Sequence, residues 1–244
     1  MRQNVVKEIL QKSIPYPVVW DAALPGVLPL RDDGWIIEDE AFAKQMAERD
    51  RLVQGFPELV IASVGASDGA RLEVLKQVLI ILRNRAGYDV SEEHVTRPDG
   101  VSVQLSGDPL VVAARLVQED LCLHEKRGDQ HVLTAAVICF PASWTLAEKI
   151  GKPLMDIHVG VDAYDADLGK RVQRLFDGIQ VDKPLWRYNI LRYQNPELFQ
   201  PRGVGDRRDE EEGGSYIRSE HQALVRMAVS GAVLFAIHTY VIKV

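Results

Sequence analysis

The chain has 244 residues, 46% of them hydrophobic and 26% charged, the balance of an ordinary soluble globular protein. Its formal net charge of −6 argues against a nucleic-acid binder, which presents a basic face. The N-terminal MRQNVVKEILQ lacks the apolar run of a secretory signal, and the longest apolar stretch, 228–242, falls short of the roughly 20 residues that span a membrane. The two cysteines, Cys122 and Cys139, each sit in an apolar run, which fits buried, reduced thiols and a cytoplasmic protein.

Residues 1–37 hold prolines at 15, 17, 25 and 29 with Tyr16, Trp20 and Trp35 between them, and read as an irregular wrap around a core. Glu38 to Gln54 has helical spacing (Phe42, Met46, Leu52, Val53), with acids early and bases later. Ser67 or Asp68 caps a stronger helix, ARLEVLKQVLIILRNRA, with Leu72, Leu75, Val78, Leu79 and Leu82 in period. Arg97-Pro98-Asp99-Gly100 has turn chemistry and VSVQL alternates like a short strand. Asp108-Pro109 opens a helix, LVVAARLVQ, that runs into Glu119-Asp120 and LCLHEK. After a polar turn at 126–130, residues 132–140 read as a buried strand.

The stretch Phe140 to His158, FPASWTLAEKIGKPLMDIH, is the pivot of the chain. Thr145 and Glu148 have the spacing of a capping box, while Gly151 and Pro153 close a short helix. It delivers His158 among apolar residues, either as an axial ligand or as a structural histidine. Asp162 or Asp165 then caps a helix with the stripe Leu168, Val172, Leu175, Phe176 and Ile179. LWRYNILRY (185–193) reads as a strand with Arg187 and Asn189 on one face and Trp186, Tyr188 and Ile190 on the other. GVGDRRDEEEGG (203–214) reads as a mobile charged loop. SYIRSEHQAL and AVLFAIHTYVIKV follow as strands, joined by a turn at Ser230-Gly231. The expectation is one α+β domain over 1–244: helices first, then a mainly antiparallel sheet of about five strands.

The six histidines show no i, i+4 pair and there is no CxxC, so ordinary zinc spacing is absent. There is no GxSxG elbow, and VGASDG lacks the lysine of a phosphate loop. Cys122 and Cys139 have no activating neighbour in sequence. The alternation Arg187/Asn189 and Arg218/Glu220/Gln222 describes either a solvated sheet face or one turned to an anionic ligand, such as haem propionates, that arginine forks hold well. Glu220 either holds a cationic group or pairs with Arg218.

LVQEDLCL (116–123), CFPASWTLAEKIGKPLMDIH (139–158), RYN (187–189), LFQPR (198–202) and RSEHQAL with SGAVLFAIHTY (218–240) together resemble the haem-dependent oxidative N-demethylase alpha-subunit family, from about Pro29 to the C-terminus. The resemblance implies a PAS-like fold and haem b held through a histidine. It also implies oxidative removal of a methyl group from a secondary amine such as dimethylamine, with release of formaldehyde. Dioxygen is then the oxidant, and electrons come from reductase subunits carrying flavin and an iron–sulphur centre. Position by position, His158 falls on the family's I-H-x-P-V-P histidine and is the implied metal ligand. Arg187 and Asn189 fall on R-x-N, and Arg218, Glu220 and Gln222 on R-x-E-R-Q-T-L. Trp144 and Lys149 fall in W-x-L-x-E-K. Glu220 and Arg218 are the implied catalytic pair, and His158, Arg187, Asn189, Gln222, Trp144 and Lys149 the cofactor-binding set. For Glu119 and Asp120, in the QEDLC block, the alternative is a hydrogen-bonding role at a helix end.

The chain departs from the pattern in H-V-G-V after His158, in R-Y-N-I, in E-H-Q-A-L, and in His238 where arginine is expected. Histidine at 221 and 238 removes two permanent charges that could have held propionates or acids. Two other readings remain: a haem-binding sensor or carrier without turnover, and a haem-free structural subunit.

Overall fold

Strand alternation organises the molecule around one antiparallel sheet, which the computed structural model describes through residues 8–20, 26–31, 33–157, 166–203 and 214–244. In chain order the elements are β1 (Leu28–Pro29), α1 (Phe42–Gly55), α2 (Pro57–Val60), β2 (Ile61–Ser63), α3 (Asp68–Leu82), β3 (Asp89–Val90), β4 (His94–Thr96), β5 (Ser102–Gln104), α4 (Pro109–Ala114), β6 (Asp120–Arg127) and β7 (Gln130–Val137). A 3₁₀ turn (Leu146–Glu148), α5 (Leu154–Ile157), α6 (Ala166–Gly178), β8 (Leu185–Tyr193), β9 (Tyr216–Arg226) and β10 (Val233–Lys243) complete them. The class is α+β. The main sheet has seven strands in the order β1-β8-β9-β10-β6-β7-β2, and β3-β4-β5 form a separate small sheet. The expected sheet of about five strands is therefore larger: 132–140, 185–193 and the two C-terminal runs fall on β7, β8, β9 and β10, whereas VSVQL lies in the small sheet as β5 and β6 was not anticipated. β1 and β2 are two- and three-residue edge additions, too short to leave a periodic signal.

β9 and β10 pair from Tyr216↔Lys243 to Arg226↔Val233, and Gly231 takes the left-handed conformation (φ 69°) that the turn at Ser230-Gly231 requires. On the back of the sheet, Val74, Leu75 and Val78 of α3 and Leu110 and Ala113 of α4 belong to one core with Leu121, Leu123, Ala135, Val137, Ala223, Leu234 and Ala236. On the front, Leu146, Leu154, Phe176 and Ile179 pack against Cys122, Ala136, Leu224, Val233 and Ile237. Arg226 ties α6 down by donating to the carbonyls of Phe176 and Ile179 at the end of that helix.

Local expectations were met unevenly. Asp108 caps α4, accepting from the Leu110 and Val111 amides. The capping box of Thr145 and Glu148 does not form: Thr145 makes no side-chain cap and the segment is a single 3₁₀ turn. Backbone bonds to β7 hold it instead, Gly151 N–H to the Leu133 carbonyl (2.8 Å) and Leu133 N–H to the Lys152 carbonyl (3.1 Å), with Gly151 at φ 78°. Ser67 precedes α3 without a side-chain cap, and α3 ends at Leu82, short of the expected run. α1 begins at Phe42, so the acids of 38–40 precede it; Asp39 is drawn into a buried network instead. The cap at Asp162 or Asp165 and nearly all of the charged loop, residues 204–213, lie outside the described residues.

The chain enters the pivotal stretch through Asp120. Its carboxylate accepts from the Cys139 and Phe140 amides (both 2.8 Å) and pairs with Arg49 of α1 (2.8 Å), all fully buried. Asp120→Ala leaves a buried guanidinium without its acid and two amides without acceptors. It is expected to lower unfolding stability by about 3–5 kcal/mol in urea titrations; a loss below about 1 kcal/mol would remove Asp120 from this role.

Candidate functional site

Period-2 alternation along β8 and β9 brings Arg187 opposite Gln222, Asn189 opposite Glu220 and Leu191 opposite Arg218 on the front of the sheet. These side chains form one directed chain of hydrogen bonds. Arg187 Nη1 donates to Gln222 Oε1 (2.7 Å), and Gln222 Nε2 donates to Glu220 Oε2 (2.9 Å). Asn189 Nδ2 donates to the same oxygen (2.8 Å), while Asn189 Oδ1 accepts from the Glu220 amide (2.9 Å). Every amide orientation is thereby fixed, because each carbonyl end meets a donor and each NH₂ end a carboxylate.

The ends of this chain are incomplete. Arg187 is half-buried, its Nε is shielded from solvent without a partner, and it has no carboxylate within 4.0 Å among the described residues. Burial lowers its pKa and the charge of Glu220 only partly opposes this. A desolvated guanidinium bonded to a neutral amide lacks an anion. Glu220, 6% exposed, has both amide bonds on Oε2; its Oε1 lies 3.8 Å from Arg218, beyond hydrogen-bonding distance.

The other expected site residues have more structural surroundings. Arg218 is 1% exposed and donates to the carbonyls of Leu198 (3.0 Å) and Phe140 (2.5 Å), so it staples two loops, while its Nε has no partner among the described residues. Lys149 donates to the Ile157 carbonyl, and its ammonium lies 5.7 Å from the centre of the Trp144 ring. Half-buried Trp144 packs on the cluster of Cys122, Ala136, Ile138, Leu146 and Ile237. His158 lies outside the described residues; α5 ends one residue before it, with Ile157 packed on the front-face cluster of Leu154, Phe176 and Leu224. Among the described residues no three histidine, cysteine or acidic side chains converge on a metal position. Cys122 and Cys139 are buried, and burial raises both thiols, Cys139 to about 12 despite Arg49, so neither is a nucleophile. The small cavity of about 10 Å³ beside Ile61, Arg71 and Asp108 is no larger than a water and lies apart from this face.

His221 and His238 point to the back of the sheet, away from Arg187 and Glu220. The loss of arginine there therefore does not strip charge from the front, and at 238 the charge is kept. Burial pulls the His238 ring down, but hydrogen bonds to Asp39 (3.2 Å) and Glu119 (3.0 Å) push its pKa up to about 9. His221 is neutral, driven by burial and by the neighbouring His238 to about 4, and stacks on Trp186 at 4.6 Å. Glu119 and Asp120 thus belong to buried networks spanning α1, β6 and β10 and not to a helix end. The sequence reading missed Arg49 and Gln45 as members of these networks. Their signal is position, since both share the buried stripe of Phe42, Met46 and Val53 on α1.

Fold and face together define an α+β protein whose main sheet carries a half-buried polar face with a cation that meets no anion among the described residues. The chain belongs to the family described as haem-dependent oxidative N-demethylase, alpha subunit-like, whose sequence model matches residues 26–244. That description names a haem-dependent oxidoreductase and one subunit of a larger enzyme. No helix among the described residues is long and apolar enough to cross a membrane.

Because Arg187 is desolvated without an acid among the described residues, Arg187→Met is expected to leave unfolding stability within about 1 kcal/mol of the parent, or to raise it. A loss of about 3 kcal/mol or more by chemical denaturation would show that Arg187 is structural after all.

Proposed function

We propose that this chain binds haem b against the front of the sheet and, in the cytoplasm, catalyses dioxygen-dependent oxidative demethylation of a small secondary amine resembling dimethylamine, releasing formaldehyde. The observation that carries the reading is Arg187, a half-buried guanidinium whose Nε has no partner and whose one hydrogen bond among the described residues is to a neutral amide, on a face where Arg218 Nε and Thr239 Oγ1 also lack partners among the described residues. This is a fit to a flat apolar group with carboxylate arms: Arg187 holds a propionate, and half-buried Trp144, Ile157 and Phe235 offer apolar surface. His158, by its place in the family motif, is the residue that would hold the haem iron. The five long strands run β7-β6-β10-β9-β8, with helices inserted between the second and third in sequence, which supports a PAS-like fold.

Haem, when bound, supplies the oxygen activation, with electrons from reductase subunits carrying flavin and an iron–sulphur centre. The chain's own residues bind and orient. Asn189 and Gln222 hold Glu220 with Oε2 saturated, leaving Oε1 to accept an N–H of the ammonium and to take its proton, so that the neutral amine is the form oxidised. The burial of Glu220 restricts this to a small amine. Arg218 acts at one remove by fixing the Phe140 and Leu198 carbonyls.

Haemin titration of the purified protein tests the cofactor. Stoichiometric uptake is expected, with an iron-ligand spectrum lost in His158→Ala and affinity lowered about 10–100-fold in Arg187→Met. Uptake unchanged in His158→Ala moves the ligand elsewhere, and no uptake at all removes the haem reading and leaves a structural subunit. With haem and a reductase present, Glu220→Gln is expected to raise the KM for dimethylamine at least about tenfold without altering haem uptake. An unchanged KM and kcat would take the amine away from Glu220. Haem uptake without amine-dependent oxygen consumption would instead indicate a sensor or carrier.

A further inference from the structure

The back of the sheet carries a second assembly that the proposed chemistry does not use. His238, fully buried on β10, places Nδ1 3.0 Å from Glu119 and Nε2 3.2 Å from Asp39. A neutral imidazole has one N–H and one lone pair, so it can satisfy only one of two carboxylates. With both ring nitrogens facing carboxylates, only the doubly protonated ring donates to both. Glu119 is wholly buried and also accepts from the Ile37 amide, whereas the Asp39 side chain is 9% exposed. Asp39 is therefore the arm that can swing to water.

Asp39 is also the anchor of the N-terminal segment. Its Oδ2 accepts from Gln11 Nε2 (2.8 Å), and Gln11 meets β10 through its amide on the Val241 carbonyl (2.9 Å) and its Oε1 on the Val241 amide (2.8 Å). Beyond Gln11 the segment lays Tyr16 among Trp186, Tyr188, His221 and Tyr240, with ring centres 5.2–6.1 Å apart. Ser219 Oγ gives its proton to the Asn189 carbonyl (2.6 Å), so the Tyr16 hydroxyl is the donor to Ser219 (2.9 Å). The segment thus reaches, through one serine, the strand position whose side chain orients Glu220 on the other face.

We propose that the imidazolium of His238 is a latch, holding Asp39 and with it residues 8–20 across the back of the sheet, and that its deprotonation releases the segment and loosens Asn189 and Glu220. The groups facing it are Asp39 before α1, Glu119 before β6, His221 on β9 and the Tyr240 ring. Arg49 of α1 and Glu40 add charge nearby through Glu119 and Tyr240. The folded ring titrates near pH 9 against 6.5 for a free histidine. The latch is accordingly at full strength below pH 6.5, weakens above it, and is lost as pH rises through about 9. It does not depend on haem.

The test is amide hydrogen exchange by mass spectrometry between pH 6.5 and about pH 10, corrected for the intrinsic base dependence of exchange. Protection over residues 8–20 is expected to fall on the order of a hundredfold across that range, with a smaller fall over β9 near Glu220 and none over β6 and β7. His238→Arg keeps the cation, so its protection over 8–20 is expected to stay level with pH. His238→Gln is expected to be open at every pH; if it does not fold, the parent and arginine proteins still decide. Constant protection in the parent overturns the latch. So does a fall shared by β6 and β7, which is global unfolding, or a fall equally large in His238→Arg.

Discussion

The structure depends on one buried carboxylate. Asp120 begins β6, the strand beside β10 in the sheet, and its two oxygens take the first amides of the stretch that crosses to the front. Arg49 makes this tolerable, because a buried carboxylate with two amide donors and a guanidinium is satisfied, whereas the same group alone would be costly. Arg49 also donates to the Gln118 carbonyl and lies over the Phe140 ring at 4.8 Å. One ion pair therefore fixes α1, the start of β6 and the entry to Phe140 together. Arg218, from β9, holds the Phe140 carbonyl from the other side.

The sheet separates two kinds of buried polarity. On the back, Asp39, Gln118, Glu119 and His238 form a network in which opposite charges meet at hydrogen-bonding distance, with Glu119 Oε2 left unpartnered among the described residues. On the front, among the described residues, Arg187 is desolvated without an acid and Glu220 has one oxygen uncommitted, an arrangement that costs stability and suits a ligand. A histidine between two acids keeps the charge that an arginine would have carried, but makes it dependent on pH. The replacement at 221 has the opposite outcome. That ring stacks on Trp186 without an acid and is neutral.

The legible part of the fold was the part governed by local periodicity. The opposite facing of Arg187 and Trp186 follows from pleating alone, and the Asp108-Pro109 start of α4 and the Ser230-Gly231 turn follow from cap and turn chemistry. The failures share one cause, which is competition from tertiary contacts. Thr145 and Glu148 have capping-box spacing, but backbone pairing of Gly151 and Lys152 with Leu133 of β7 leaves only a 3₁₀ turn between them. The tertiary contacts of Arg218 were equally invisible in sequence: its two Nη groups reach loop carbonyls 78 and 20 residues away.

By itself the sequence determined the α+β class, the strand alternation that gathers Arg187, Asn189, Glu220 and Gln222 on one face, and, through its motif blocks, the family. Those properties depend on residues near one another in the chain or on short fixed spacings. Only the tertiary structure decided which charges are paired: that Asp120 meets Arg49 across 71 residues, that His238 meets Glu119 across 119, and that Arg187 meets no acid within 4.0 Å among the described residues. The state of a buried charge is set by what packs within a few ångströms of it, and that neighbourhood is assembled from segments whose separation the sequence does not reveal.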